Sequence, residues 1–472
     1  MSVLPHPSAL GEPPTAPIPS SCTAASVVRS RALHAVPSPS RLPPVVGADL
    51  IVPTRTGPVP YANLDHAAST PALQSVKEAV DRALVTYASV HRGAGYASRL
   101  TSIWYEQARA EVAAFVGARE DDIVLFTRTT TDSWALLSKA LPARTTVFVF
   151  DSEHHSTLLP WGRFRTVRLP VPKSVEDAVS LLGDALATHA SRHRLVVVAG
   201  ASNVTGETWP VSRFAELAHR HGARIAVDAA QLSAHREIDL QAWGADYVAF
   251  SGHKTYAPFG AGVLAGRSDW LDAGTPYLFG GGATASVNDD GARWATGPAR
   301  HEGGSPNVLG AIAIAAACAT ISANREAIEE HEATLLAQLR EGLESVAGVE
   351  LLSIFGDDHD RVGVVAFTVD GWDSSLISQV LAVEHGIGVR DGKFCAHLLV
   401  DELLDDPWRE RTTTAVRVSL GLGSTSEAVE RLVNGIRALV EHGTTVAWTR
   451  GDRGWELLGQ DDPRDAPVAR PW

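Results

Sequence analysis

Lys254 follows the apolar run Tyr247-Val248-Ala249-Phe250 through Ser251-Gly252-His253, and Asp228 ends the run Ile225-Ala226-Val227. A lysine just beyond a buried strand can lose its proton on desolvation and attack a carbonyl as a free amine. Three further apolar runs end in polar clusters. Val124-Leu125-Phe126 leads to Arg128-Thr129-Thr130-Thr131, the run over 147–150 to Glu153-His154-His155, and the run over 195–199 to Ser202-Asn203. Threonine hydroxyls and free N–H groups at a helix start suit a phosphate. An acid at a neighbouring strand end can keep a pyridinium nitrogen protonated. Phosphate, aldehyde and pyridine nitrogen together describe pyridoxal 5′-phosphate, whose protein signature is a lysine with an acidic partner.

The elements that must carry these residues alternate between strand and helix. Strands are expected over 123–126, 147–150, 195–199, 225–227, 247–250 and 262–265, mostly without period-two alternation, as in strands buried on both faces. Helical patterns cover 101–115, stopping at Gly117, and 214–220, and Ser69-Thr70-Pro71 reads as a helix start with a cap and a first-turn proline. This predicts an α/β domain with a mostly parallel sheet, whose carboxyl edge gathers the polar clusters. After a long helix over 324–346 the pattern changes to strands over 349–355, 362–369, 387–390 and 416–420, with helices over 376–383 and 426–440. These define a smaller α+β domain. The expected organisation is a disordered proline-rich tail over 1–50, a segment over 51–70 that packs on the small domain, a large cofactor-binding domain over 71–320, the small domain over 321–447, and a polar tail over 448–472. The first 50 residues hold ten prolines and only Glu12 and Asp49 as acids, too little apolar surface to offset ordering entropy.

Composition removes other classes. With 41 Lys+Arg against 54 Asp+Glu and a net charge of −13, nucleic-acid and anionic-membrane partners are not expected. Cys22, Cys318 and Cys395 stand too far apart for a disulfide framework, and no C-x-x-C pattern or third histidine near His154-His155 builds a metal site. The longest apolar run, over 308–321, is too short to span a bilayer, and the amino-terminal stretch lacks the regions of a secretory signal, so a cytoplasmic protein is expected.

Ser251-Gly252-His253-Lys254, preceded by Asp228-Ala229-Ala230-Gln231, resembles the class V group of fold-type I pyridoxal-phosphate enzymes, closest to the SufS-like cysteine desulfurases and selenocysteine lyases. The resemblance covers about 61–441 and includes Leu64-Asp65-His66-Ala67-Ala68-Ser69-Thr70-Pro71, Val90-His91-Arg92-Gly93, Glu153-His154-His155, Ser202-Asn203-Val204-Thr205-Gly206, Gly303-Gly304-Ser305-Pro306-Asn307, Arg390 through Cys395, and Arg417-Val418-Ser419-Leu420, in order. It implies the fold-type I architecture, and roles residue by residue. Lys254 would carry the cofactor through a Schiff base and move the α-proton. Asp228 would pair with the ring nitrogen, His154 stack on the ring, and Gln231 bond its phenolic oxygen. Thr131, Ser251 and His253, with Thr130, would hold the phosphate. Ser305 would reach the phosphate of a neighbouring subunit, implying a homodimer with its site at the interface. Asn203 would sit by the substrate carboxylate, Arg417 would clamp it, and Arg390 would assist. Cys395 would attack the sulfur of the amino acid and carry it as a persulfide, for delivery to a sulfur-acceptor protein. The chain departs from the desulfurase pattern at Lys393-Phe394, Ala94-Gly95-Tyr96 and Gly421-Leu422-Gly423. An aminotransferase, C–S lyase or epimerase acting on another amino acid stays open, as does a non-catalytic scaffold.

Overall fold

Val147, Phe148, Val149 and Phe150 are all fully buried, so the strand that holds them is covered on both faces. It is the pattern of the whole central sheet in the computed structural model, which describes residues 42–91, 93–405, 412–452, 454–465 and 470–472. Seven strands lie in the order Asp122–Thr127, Gly262–Arg267, Tyr247–Ser251, Arg224–Asp228, His193–Ala199, Thr145–Phe150 and Arg165–Leu169. Gly262–Arg267 pairs antiparallel with both neighbours, and the other strand pairs are parallel. The architecture is thus a large mixed α/β sheet flanked by helices, as the sequence leads one to expect. The edge strand Arg165–Leu169 was not foreseen. Its Arg165 and Arg168 face outward, and its apolar content is too low to mark a buried run.

A second core forms around an antiparallel sheet in the order Val349–Leu351, Val364–Val369, Ala415–Ser419 and Arg390–Gly392. Leu335, Leu339 and Leu343 of the helix Arg325–Glu344 pack there against Phe367, Val418 and Ile436. Ala62 and Leu64 join the same core, and the short strand Ala62–Asn63 pairs in parallel with Ile387–Gly388. The expected strand over 349–355 stops at Leu351 because Glu207 takes over the following backbone. Its carboxylate accepts the N–H groups of Ile354 (2.7 Å) and Phe355 (2.8 Å) and the Ser353 hydroxyl (2.6 Å).

Three local expectations are corrected. The hydroxyls of Ser69 and Thr70 do not cap a helix, which instead begins at Gln74 in Gln74–Leu84. Both bond the His253 carbonyl at 3.1 Å, a tertiary partner that a cap pattern cannot reveal. Residues 1–41 lie outside the described residues, but the end of the expected tail is ordered: Val46 N–H donates to Ala72 O (2.8 Å), Gln74 N–H to Pro44 O (2.9 Å), and Leu42 and Val45 pack on the large core. The expected polar tail contains a hairpin, Trp448–Gly451 with Gly454–Leu457. Trp455 Nε1 donates to Asp373 (3.1 Å) and Trp448 packs on the small core, apolar area that the polar composition of the stretch conceals. Among the described residues no single helix is long and apolar enough to cross a membrane.

Glu207 is fully buried, and Arg361 lies 3.8 Å away. Removing the carboxylate leaves two backbone donors and the Ser353 hydroxyl without their acceptor and takes a buried counter-charge from Arg361. Glu207→Ala is expected to lose about 3 kcal/mol of stability, read as a fall in the thermal midpoint. Glu207→Gln, which retains an acceptor oxygen, should lose clearly less.

Candidate active site

The strand Tyr247–Ser251 is buried throughout and turns at once into the 3-10 segment Gly252–Lys254. The turn is tight enough to demand glycine: a Cβ at Gly252 would sit 2.8 Å from Ala257 O and 2.9 Å from Ala261 O. The His253 carbonyl also takes the Thr70 N–H at 2.8 Å, and Thr70 Oγ1 accepts from Tyr256 N–H at 2.8 Å, so one threonine pins both sides of Lys254. Lys254 faces a cavity of about 270 Å³ at the carboxyl edge of the sheet. Burial lowers its ammonium to about 8, with Arg417 adding to the shift and Asp228 opposing it.

The same cavity is lined by Thr130, Thr131, His154, Asn203, Asp228, Gln231, Ser251, His253, Arg390, Cys395 and Arg417. At one end the helix Thr130–Ala140 begins, capped by Thr129. Ser251 Oγ accepts Thr130 N–H at 2.7 Å, and the hydroxyls of Thr131 and Ser156 lie 2.6 Å apart. Asp228 sits on the neighbouring strand. Its Oδ1 accepts Ala230 N–H (2.9 Å), and its Oδ2 accepts the Thr157 hydroxyl (2.5 Å). His154 Nδ1 accepts Ser156 N–H at 3.1 Å, which leaves Nε2 to carry the proton of the neutral ring. Burial, with Lys254 and then His155, pushes the His154 pKa down to about 3, so the ring stays neutral. Gln231 Nε2 donates to Ala67 O at 3.0 Å.

At the other end Arg417 is buried. It donates to Asn203 O and to Asp65 Oδ1, both at 3.0 Å, while its Nε has no partner among the described residues. Its guanidinium lies 5.0 Å over the Phe394 ring. Burial lowers its pKa, against the pull of Asp65. Arg390 is paired with Arg417 across the small sheet and is exposed. Cys395 is an exposed thiol, whereas Cys318 is buried; Cys22 lies outside the described residues. Phe394 and Cys395 both have left-handed φ, 52° and 53°. Each such residue costs of order 1–3 kcal/mol and persists only where surrounding contacts hold it. Asn203 Nδ2 holds the Phe394 carbonyl at 2.7 Å, and His155 N–H holds that of Cys395 at 2.8 Å.

Ser305 is not brought to this cavity. It lies in a separate depression of about 450 Å³ with His91, Arg109 and Glu302. Arg92, named with His91 in the sequence, lies outside the described residues. Sequence reasoning assigned no role to Asp65, Glu153, Thr157 or Phe394, although three of the four stand in the motifs it quoted. Glu153 is buried, with Oε1 accepting Ala199 N–H (2.9 Å) and Oε2 without a partner among the described residues. Burial raises its pKa well above the carboxylate range, and Asp228 adds to the shift.

The donor set fits pyridoxal phosphate. Hydroxyls and a helix start meet at one end, a carboxylate with two donors among the described residues stands at a strand end, and a desolvated amine lies nearby. A depressed lysine offers its neutral amine above about 8, and two units lower only roughly one molecule in a hundred does so. The rate at which cofactor-free protein fixes pyridoxal phosphate on Lys254, trapped with borohydride and read by mass, is therefore expected to climb with a midpoint near 8 and level off above it.

Comparison with known proteins matches the aminotransferase class-V model over residues 62–432. A probable cysteine desulfurase of Vibrio cholerae is 31% identical over 395 residues, covering 81% of this chain and 94% of that protein. A cysteine desulfurase of Dickeya dadantii is 34% identical, covering 80% of this chain and 92% of the relative. Among solved structures, the cysteine desulfurase of Thermococcus onnurineus superposes with a TM-score of 0.73 at 30% identity, covering 81% of this chain and 95% of that one. One from Escherichia coli gives 0.70 at 30% identity with the same coverage. With the fold, the ordered motifs and these matches in agreement over most of its length, the chain belongs to the aminotransferase class-V family.

Proposed function

We propose that this protein is a pyridoxal-phosphate-dependent cysteine desulfurase that converts L-cysteine to L-alanine and takes the sulfur onto Cys395. The observation that carries the reading is that an exposed thiol, a depressed lysine and a buried arginine line one cavity. When bound, pyridoxal phosphate supplies an electron sink for charge developing at the amino acid's α-carbon. Thr130, Thr131, Ser251 and His253 would hold its phosphate, Asp228 would keep a proton on its ring nitrogen, His154 would cover one ring face and Gln231 would face the ring oxygen. Lys254, neutral above about 8, takes and returns the α-proton. Arg417 binds the substrate carboxylate, for which its planar fork is suited, with Asn203 and Arg390 beside it. In net terms the carbon–sulfur bond of cysteine breaks, a sulfur–sulfur bond forms on Cys395, and the β-carbon of alanine gains a proton that balances the one the Cys395 thiol gives up. Selenocysteine fits the same groups.

We assign the working unit to a homodimer. Ser305 lies away from the cavity in a depression that Tyr87 also lines, and Phe279 (63%) and Val287 (70%) are exposed, apolar area suited to a second copy. A cytoplasmic setting and a protein acceptor for the sulfur belong to this reading, since an exposed nucleophilic thiol persists where thiols are kept reduced.

Incubating the cofactor-loaded protein with L-cysteine and a reductant is expected to yield sulfide and alanine in equal amounts. Cys395→Ala should abolish sulfide release while cofactor binding survives. Sulfide with pyruvate would instead identify a C–S lyase, and full turnover by Cys395→Ala would exclude the persulfide route.

A further inference from the structure

We infer that His155 is the positioning residue for Cys395, a clamp whose backbone hold on the Cys395 carbonyl is fixed and whose ring contact with His397 closes when the ring is neutral and opens when it is protonated. The inference rests on the persulfide reading of Cys395. His155 stands beside His154 in sequence but serves a different partner. Its backbone N–H donates to Cys395 O at 2.8 Å, its Nε2 faces the N–H of His397 at 3.5 Å, and its ring meets the His397 ring edge-on, with centroids 4.5 Å apart at 72°. One residue, next to the cavity-lining His154, thus touches 395–397 at both ends. Asn203 and Arg417 hold Phe394, one residue before the thiol, and Ala396 N–H, just past it, closes a turn onto Lys393 O at 2.8 Å. Lys393 is engaged by Asp401 and is not free to serve the sulfur. Two consecutive left-handed residues need such restraint, and His155 supplies it at the position that matters.

The bond to His397 N–H uses Nε2 as an acceptor, which only an unprotonated nitrogen can be. Protonation there sets one N–H against another and places a cation against the edge of a second imidazole. Burial and then His397 already lower the His155 pKa from its ordinary value. The sign follows: the clamped form prefers the neutral ring, so it holds at neutral and alkaline pH. It loosens as pH falls below the ordinary histidine value toward the depressed one. Of the ionisable groups around it, Arg417 and Arg390 line the adjoining cavity as cations, Lys254 is engaged with the cofactor in the loaded protein, His154 is held neutral, Asp65 is taken by Arg417 and Asp401 by Lys393. The aim of the thiol governs sulfur transfer and leaves amino-acid binding alone.

The test follows amide hydrogen exchange of the peptide containing residues 393–399, and alkylation of Cys395 by iodoacetamide, in the cofactor-loaded full chain from pH 5.5 to 8.5. In the native protein, protection factors over 395–397 should be high at pH 7.5 and fall on acidification. His155→Ala should lower protection at pH 7.5 at least tenfold and abolish its pH dependence. His155→Gln, whose amide oxygen can accept from His397 N–H, should restore protection without the acid loss, and His397→Ala should give an intermediate loss. With L-cysteine, His155→Ala should lower kcat at least tenfold at unchanged KM. Unaltered protection and an unaltered alkylation profile in His155→Ala overturn the clamp. Absence of persulfide on Cys395 in the native protein would instead refute the desulfurase reading, while the exchange data still decide on the clamp.

Discussion

Arg417 is buried with its charge, and each group that makes this tolerable comes from a different part of the chain. Asp65 arrives from the segment that joins the two cores, the Asn203 carbonyl from the large sheet's edge, and the Phe394 ring from the cysteine segment. A buried guanidinium without such partners costs several kcal/mol. The two cores are therefore not simply adjacent. The cation at their seam is satisfied only when the joining segment, the large sheet and the cysteine segment all come to it, and the cavity is what this meeting leaves open.

That cavity is short of negative charge. Lys254, Arg417, His154 and His253 all have depressed pKa values, in each case chiefly through burial, and Lys254 contributes to the shifts of both histidines. A ligand bearing a phosphate and a carboxylate would relieve this crowding at both ends. Glu153 fits the same pattern from below. Its raised pKa keeps it a neutral acid near Asp228, so Asp228 does not face a second buried negative charge.

Much of this was legible in the amino-acid order because strand ends in a parallel sheet converge on one edge. Lys254, Asp228, His154, Asn203 and the threonines at 130 and 131 could be gathered without coordinates for that reason. What escaped depends on contacts between residues distant in sequence. Thr70 looks like a helix cap and is a tertiary ligand of the lysine turn, since one hydroxyl serves either purpose. The strand end beyond Leu351 is decided by Glu207, more than a hundred positions earlier. The hairpin at 448–457 hides in a stretch whose average is polar, because two tryptophans carry its packing. The hold of His155 on the cysteine segment has no local signature at all.

The segment from Ala62 to Thr70 has a mechanical meaning. At one end it is hydrogen-bonded as a strand into the small core, in the middle Asp65 grips Arg417, and at the far end Thr70 is bonded to both sides of the lysine turn. It is a short tether anchored at both ends, with no slack loop between the anchors. Any displacement of the small core must be transmitted along it to the turn that carries Lys254. Motion of the small core and the alignment of Lys254 are thus geared together by nine residues of backbone.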